Sequence, residues 1–508
     1  MKPQGHPALK QPGQGPHDRE LCDNARPRGW RNPRPREPYH LLVVGAGPAG
    51  LVAARGAAAL GARVAIVESH LLGGNCLNYG CVPSKTLIRT ARLYAEMRNA
   101  ANFGARSPDD IRVDFPLAME RMRRIRTRIS RVDSAARLTA DGIDVFFGTA
   151  RFTSGDAVDV DGTGIRFRKA LIATGSRSKL APIPGLAEAG YLTNETVFDL
   201  TVLPRSMLVI GGGQLGCELA QAFCRFGSRT VIAHDEPLFL PREERDAAQM
   251  VSDALARDGV EIHLNTEVVN VRVEGGRKCV ETLNDGNVAT TAVDQILTGI
   301  GRVPAVGGLG LDAADVAYDL EAGIHVDDFL RTTNRRIYAA GDVCLEHQFT
   351  DTADASARIV VRNALFPGRQ RVSALTIPWC TYTDPEIAHV GIYVKEARER
   401  GIPVKTFTVP MHDVDRAIAD GEEDGFVKIH VREGTDTILG ATVVARHAGE
   451  MINGISLAMV AGIGLRTVAR VIHAYPTQAE AIKQAANAYT RTRLSPFFGW
   501  VLRKWVNR

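Results

Sequence analysis

The stretch His40-Leu-Leu-Val-Val-Gly45-Ala-Gly-Pro-Ala-Gly50 decides how this chain folds. A short apolar run reads as a β-strand, a glycine-rich turn follows, and an Ala-rich segment from Leu51 to Leu60 reads as a helix. A second apolar run, Arg63 to Val67, completes a βαβ unit. In the turn, Gly45 permits the bend, Gly47 lets a pyrophosphate approach the backbone, and Gly50 lets the helix pack on the strand. The helix N-terminus then faces the phosphates. Glu68 stands at the end of the second strand, where a carboxylate accepts hydrogen bonds from ribose hydroxyls. A bare Gly-x-Gly-x-x-Gly is weak evidence. Set between strand and helix, with an acid at the next strand end, it reads as a dinucleotide-binding fingerprint.

The pattern recurs. Met207-Leu-Val-Ile runs into Gly211-Gly-Gly-Gln-Leu-Gly216, a helix, and a strand from Thr230 to Ala233. Two fingerprints imply two nucleotides. The second lacks the acid: His234 stands at the strand end with Asp235 next, and no Arg pair adjoins them. The missing Glu weakens NAD and the missing Arg pair weakens NADP; the reading leans to NADPH. Between the two units, Lys169-Ala-Leu-Ile-Ala-Thr-Gly-Ser176 reads as a strand ending in a tight turn, a shape repeated at Ile337-Tyr-Ala-Ala-Gly-Asp342. After about residue 372, antiparallel-type strands (425–431 and 438–444) accompany helices without a third fingerprint, which marks a separate C-terminal domain.

A chain of 508 residues exceeds a single core, so about three domains are expected. Its formal charge of +5 sits partly in the tails and gives no reason to infer a nucleic-acid partner. Eight irregularly spaced cysteines do not make a secreted disulfide framework and point to a reducing, cytoplasmic compartment. Residues 1–37 are rich in Pro, Gly and Arg, lack an apolar stretch, and read as a disordered basic tail rather than a signal peptide. A transit peptide and an overextended start are the alternatives. Against the former, the segment holds Asp18, Glu20, Asp23 and Glu37 and no Ser.

Shortly after Glu68 comes Gly73-Gly-Asn-Cys76-Leu-Asn-Tyr-Gly-Cys81-Val-Pro-Ser-Lys85. Five positions of regular helix rise ~7.5 Å, and disulfide-linked Cα atoms are seldom more than ~7 Å apart. Cys76 must therefore lie before, or in a distorted start of, the helix that follows. Asn78, Tyr79 and Gly80 suit a turn, and Pro83 suits a first helical turn. A thiol at a helix N-terminus has its thiolate stabilised, and Lys85 would add to this. The pair could then cycle between disulfide and dithiol. The alternatives are two buried structural thiols or half of a zinc site, although no Cys-x-x-Cys or His at metal spacing accompanies them.

These motifs, with Ala-Thr-Gly-Ser176, the second fingerprint, Gly-Asp342 and a Tyr-Pro-Thr segment near the C-terminus, resemble the pyridine nucleotide-disulfide oxidoreductase family. The resemblance covers about residues 40 to 490, in the expected order. Members are FAD-dependent homodimers related to dihydrolipoamide dehydrogenase, glutathione reductase and mercuric reductase. The resemblance implies an α/β fold of two Rossmann-like nucleotide-binding domains, the FAD domain being split by the NAD(P)H domain, plus a C-terminal α/β dimerisation domain. The boundaries expected are 38–188 and 312–372 for FAD, 189–311 for NAD(P)H and 373–490 for dimerisation. It further implies FAD phosphates at Gly45, Gly47 and Gly50, FAD ribose at Glu68, a backbone contact at Ala150, further cofactor contacts at Thr174 and Gly175, and ribitol at Asp342. Lys85 and Glu218 would form an ion pair beside the flavin. NAD(P)H would lie across Gly211, Gly213, Gly216 and Gly301. Cys81 would be the charge-transfer thiolate near the flavin and Cys76 the interchange thiol that meets the acceptor.

The departure lies in His473-Ala-Tyr-Pro-Thr-Gln-Ala-Glu480. Disulfide-reducing relatives carry His immediately before Pro-Thr, held by a Glu five positions later, because the departing thiolate needs a proton and imidazole titrates near neutrality. Here that position is Tyr475, while Glu480 remains. A phenol of pKa about 10 is a poor acid-base partner at neutral pH. His473 is the remaining candidate, with dimer-interface packing as its other role. Tyr before Pro-Thr resembles the mercuric reductase variant, in which a soft metal ion bound by Cys76 and Cys81 takes two electrons and needs no imidazole. By the same resemblance Tyr475 and Glu480 complete the partner subunit's active site. The sequence has no vicinal cysteine pair at its C-terminus and no N-terminal Cys-x-x-Cys domain, so efficient Hg(II) capture is not implied.

The activity expected is therefore that of a mercuric reductase-like flavoenzyme acting on a soft metal ion or another small electrophile. Cys76 and Cys81 would hold a substrate metal only transiently, and no structural metal is expected. The alternatives are a disulfide reductase of the dihydrolipoamide dehydrogenase type and a membrane-associated redox sensor with little turnover. The last draws on residues 491–508, where Phe497, Phe498, Val501, Leu502 and Trp505 would share a helical face opposite Arg503, Lys504 and Arg508. Such a helix would lie on an anionic membrane through residues 496–508, or dock on its own dimer. Of the other thiols, Cys217, Cys224 and Cys380 read as core, and His389, His412 and His447 as surface or interface.

Overall fold

The computed structural model describes residues 13, 15–36, 38–106, 108, 111–493, 500 and 504–506. They form two compact units: the described residues up to Asp235 with Asn265–Leu375, and Glu236–Leu264 with the described residues from Thr376 onward.

In the first unit, the strand Tyr39–Val44 pairs in parallel with Val64–Glu68 on one side and with Thr163–Ile172 on the other, so that Val43 faces both Ile66 and Leu171. Asp144–Phe147 and Ile337–Ala339 extend the parallel sheet outward. Buried on both faces, these strands read as continuous apolar runs rather than alternating ones. The helix Pro48–Ala59 buries Ala53, Ala54 and Ala57, small side chains that let it lie close to the sheet. Thr163–Ile172 serves two sheets. Its first four residues pair antiparallel with Ala157–Val160, the middle strand of a meander begun by Ala150–Ser154, and its later residues join the parallel sheet.

The second fingerprint repeats the plan. Ser206–Ile210 pairs in parallel with Arg229–Ala233 and Gln295–Thr298, and the helix Gln214–Phe226 follows the turn. That helix packs on Cys81–Arg98. Tyr94, Phe115, Phe223 and Phe226 meet there in largely edge-to-face contacts, the arrangement that aromatic quadrupoles favour.

The second unit is built on a five-stranded antiparallel sheet in the order Pro378–Thr381, Glu386–Gly391, Ile438–Ala445, Phe426–Arg432, Val404–Pro410. Ile452 and Ile455 of the helix Ala448–Val460, and Ala481, Ala485 and Tyr489 of Glu480–Thr492, share one apolar core with Val427, Ile429 and Val443. Cys380 packs half-buried against that core.

Two expectations need correction. First, the segment read as a disordered tail folds over much of its length: Pro16–Ala25 is a helix that buries Asp18, Leu21 and Ala25. The stretch after it is pinned by Trp30 donating to the Val145 carbonyl, by Asn32 bonding both backbone groups of Phe147, and by Arg36 pairing with Asp144. Residues 1–12, 14 and 37 lie outside the described residues. Residues 236–264, expected in the NAD(P)H domain, group in space with the second compact unit. Glu243 accepts hydrogen bonds from the Trp379 indole and the Tyr393 hydroxyl, and Lys428 pairs with both Glu244 and Asp246. The other correction concerns His389, which is not at the surface. It is fully buried, its Nδ1 bonds the Thr442 hydroxyl, and its ring stacks on Tyr393. Burial pushes its pKa down to about 3, so the ring stays neutral.

No helix among the described residues is long and apolar enough to cross a membrane. The proposed face of the C-terminal tail rests mainly on residues outside the described ones; of those described, Trp500 and Trp505 are exposed.

Candidate active site

The redox loop breaks where the spacing argument required. Gly74–Tyr79 forms a six-residue helix carrying Cys76, Gly80 interrupts it at φ −139° and ψ −111°, and Cys81 opens the helix Cys81–Arg98. A Cβ on Gly80 would stand 2.9 Å from the Asn75 carbonyl oxygen, so only glycine lets the two helices meet this closely. Both thiols are free, and they hydrogen-bond each other. The Thr350 hydroxyl lies 3.2 Å from Cys81 Sγ. Lys85, one turn beyond Cys81, donates to Glu218 Oε2 at 2.7 Å.

These contacts split the two thiols electrostatically. The bond from Cys76 holds the Cys81 thiol well below its ordinary range, against the cost of desolvation, with Thr350 and the Lys85 charge acting in the same direction. The same bond, together with burial, pushes Cys76 up. These contacts favour Cys81 as the thiolate of the pair, in line with its place at a helix N-terminus.

In the first fingerprint, the three glycines do different work. A Cβ on Gly50 would sit 1.9 Å from the Gly45 carbonyl oxygen, and one on Gly45 would sit 2.4 Å from that of Ala173. A Cβ on Gly47 would meet nothing nearer than the Gly74 Cα at 3.8 Å. The chain itself requires the first and third glycines. The second leaves a cradle before the N-terminus of Pro48–Ala59 that a side chain would fill. Glu68 accepts one backbone N–H on each oxygen, from Ala46 and from His70, both at 2.7 Å. Lone pairs remain for hydroxyl donors. Burial raises its pKa against those two bonds.

The second fingerprint has the same logic. Gly216 and Gly211 are hemmed in by the carbonyl oxygens of Gly211 and Gly299 at 2.2 and 2.7 Å, whereas Gly213 has only the Gly299 oxygen at 3.9 Å. Gly45 and Gly211 each donate at 2.8 Å to the last apolar residue of the following strand, Val67 and Ala233. In place of an acid, His234 lies against the turn, its Nδ1 accepting from the Gly212 N–H at 3.3 Å and its buried Nε2 without a partner. Gly301 adopts φ +108° with nothing within 4 Å of a Cβ placed there.

Asp342 joins a polar cluster at the ends of the two tight turns. It accepts from the Ser176 hydroxyl at 2.6 Å, while Arg302 donates to the Ser176 hydroxyl and carbonyl and lies 3.6 Å from Asp342. Asn75, beside Cys76, donates to the Ser176 carbonyl at 2.8 Å. Thr174 donates to the Ala305 carbonyl, and Gly175 turns at φ +70°. Ala150 is buried in its strand opposite Val160.

The C-terminal segment lies in the other unit. Tyr475 is 70 % exposed and its hydroxyl donates to Asp415 Oδ2 at 2.9 Å, which raises the phenol's pKa. His473 Nδ1 lies 3.3 Å from the Val471 carbonyl oxygen, and Glu480 begins the last long helix. Among the described residues, no group of three or more His, Cys, Asp or Glu side chains is placed to hold a metal ion.

The pyridine nucleotide-disulphide oxidoreductase family matches residues 39–358, and its dimerisation domain matches residues 377–486. The chain belongs to that family. It is 34 % identical over 459 residues to a mercuric reductase of Streptomyces lividans, covering 89 % of this chain and 96 % of that one. It is 32 % identical over 455 residues to a dihydrolipoyl dehydrogenase of Chlamydia muridarum, with the same coverage. The HOCl-induced flavoprotein disulfide reductase of Escherichia coli superposes with a TM-score of 0.79 at 30 % identity, covering 88 % of this chain and 99 % of that one. The same reductase is also known as a Cu(II) complex.

As a pyridine nucleotide-disulphide oxidoreductase, the protein is an FAD-dependent enzyme with NAD(P)H as electron donor. Its residues fit the flavin nucleotide: the Gly47 cradle at a helix N-terminus suits a pyrophosphate, and the spare lone pairs of Glu68 suit a ribose. Sequence reasoning missed Thr350, whose hydroxyl reaches Cys81 from 269 residues away and which no local motif marks. It also missed Arg302, although its place directly after Gly301 was a usable signal.

Proposed function

We propose that this enzyme passes electrons from NAD(P)H through FAD and the Cys81–Cys76 pair to a soft metal ion or another small electrophile, in the manner of mercuric reductases. FAD supplies acceptance of a hydride from NAD(P)H and delivery of two electrons. Tyr475 carries the reading. Its hydroxyl is engaged by Asp415, and the position before Pro-Thr offers no imidazole to protonate a departing thiolate. A mercuric ion needs no such proton: it displaces the Cys76 proton to solvent on binding, takes two electrons, both metal–sulfur bonds break and the thiolates remain for the next ion, whereas a Cu(II) ion takes one electron and leaves as Cu(I). The Streptomyces mercuric reductase and the Cu(II) complex of the E. coli reductase support a metal acceptor. The dimerisation domain supports a homodimer in which Tyr475 and Glu480 serve the partner subunit's site.

A second reading, disulfide reduction with His473 or solvent as proton source, is favoured by the dihydrolipoyl dehydrogenase relative. Anaerobic NAD(P)H oxidation with Hg(II) and Cu(II) dithiolates, lipoamide and glutathione disulfide separates the two. Turnover with metal alone, lost in Cys76→Ser, supports the first; turnover with a disulfide alone overturns it.

A further inference from the structure

We propose that Asp18, on the N-terminal helix, is a positioning residue for the redox loop, acting through Arg126 on the backbone carbonyl of Asn78. The inference rests on reading Cys76 and Cys81 as a redox pair. The helix Pro16–Ala25 precedes residue 39, where the family match begins, so the device belongs to this chain's own extension.

Arg126 is 1 % exposed, among the largest fully buried side chains of the molecule. Nη2 donates to Asp18 Oδ1 at 2.8 Å, and Asp18 is itself 2 % exposed; Nη1 donates to the Asn78 carbonyl at 2.9 Å. One planar fork thus ties the extension to the peptide between the two cysteines. Asn78 is fully buried, and its side-chain amide donates to the Leu72 and Gly74 carbonyls, so the peptide that Arg126 grips is part of the frame of the short helix carrying Cys76.

The extension holds Asp18 in place at several other points. Thr127 donates to the His17 carbonyl and Asn24 to the Ser130 hydroxyl, which clamps the helix to Phe115–Ser130. The Ala25 carbonyl accepts from the Leu72 N–H, and Arg26 donates to the Ser69 and His70 carbonyls, bracing the approach to the loop. Without the Asp18 charge, Arg126 would be a buried cation stripped of the carboxylate it bonds, and it would turn toward water. The Asn78 carbonyl would lose its donor. The short helix would then pivot at Gly80 and carry Cys76 away from Cys81, which weakens the bond between the two thiols.

The test uses the full-length holoenzyme with Asp18→Asn and, in case that variant folds poorly, Arg126→Lys, which keeps the charge and loses the fork. Five quantities are measured: bound flavin, thermal midpoint, thiols gained on anaerobic NADPH reduction, the pH midpoint of the Cys81 thiolate, and turnover per flavin. Both variants should retain flavin and gain two thiols. The thiolate midpoint should rise, and turnover per flavin should fall about tenfold, less than the ~100-fold of a full 1 Å misplacement from a remote change. Asp18→Glu should restore part of both. A lower thermal midpoint with wild-type thiolate midpoint and turnover per flavin would reduce Asp18 to a fold support and overturn the proposal. If the wild type itself gains no thiols on reduction, the redox reading fails first and the inference falls with it.

Discussion

Lys85 lies one helical turn beyond Cys81, and its ammonium donates to the carboxylate of Glu218, which is 3 % exposed. The relationship links the redox helix to the helix of the second fingerprint, and it places a fixed positive charge on the face that Cys81 shares. Replacing Lys85 by Met should destabilise the fold by about 2 kcal/mol. This is less than the ~3–5 kcal/mol of breaking a wholly buried pair, because Lys85 is 35 % exposed and solvent screens part of the loss. Adding Glu218→Gln should recover most of that difference in denaturant unfolding.

The thiols should titrate apart. Cys81 is lowered to about 6, chiefly by the bond from Cys76, while Cys76 is raised. Ultraviolet thiolate absorbance of the reduced protein should therefore show one thiolate per chain at pH 7, lost as the pH falls through about 6. Thr350→Val removes one hydrogen bond to Cys81 and should move that midpoint up, while Thr350→Ser should leave it in place. Two thiolates appearing together near pH 9 would refute the division of roles.

The glycines give a sharper contrast. Gly50→Ala drives a methyl into the Gly45 carbonyl and should prevent folding, whereas Gly47→Ala meets no chain atom closer than 3.8 Å and should fold. The second variant should nonetheless purify with flavin content reduced severalfold, as read by absorbance per chain. Full flavin content in Gly47→Ala would remove the cradle from the FAD site.

At Tyr475 the two acceptor readings diverge. Tyr475→Phe removes only an exposed hydroxyl bond to Asp415 and should leave the thermal midpoint unchanged. Tyr475→His should raise lipoamide or glutathione disulfide turnover if the missing imidazole is what limits it. No rise would mean that proton supply is not the barrier.

The nucleotide choice can be tested at His234. Glu at this strand end would offer a ribose two acceptors in place of a ring turned on Gly212, so His234→Glu should shift the ratio of kcat/KM values toward NADH. An unchanged ratio would place nicotinamide-nucleotide recognition elsewhere.

Much of this architecture was legible because glycine turns write their geometry locally. Gly50 and Gly216 are each forced by the carbonyl oxygen of the glycine five residues before them, and the break at Gly80 followed from the rise of a helix between two cysteines. What was missed depends on contacts remote in sequence. The composition of residues 15–36 reads as unfolded because Asp18 and Trp30 find their partners more than a hundred positions later. Residues 236–264 carry no mark of their partners either: Glu243 looks like one acid in a charged run until Trp379 and Tyr393 close over it.

That last arrangement also bears on how the chain is made. Glu243 precedes Trp379 by 136 residues, so at ~5–20 residues per second its partner leaves the ribosome roughly 7–27 s later. During that interval the Glu243 carboxylate lacks the two donors that later close over it and keeps water as its partner.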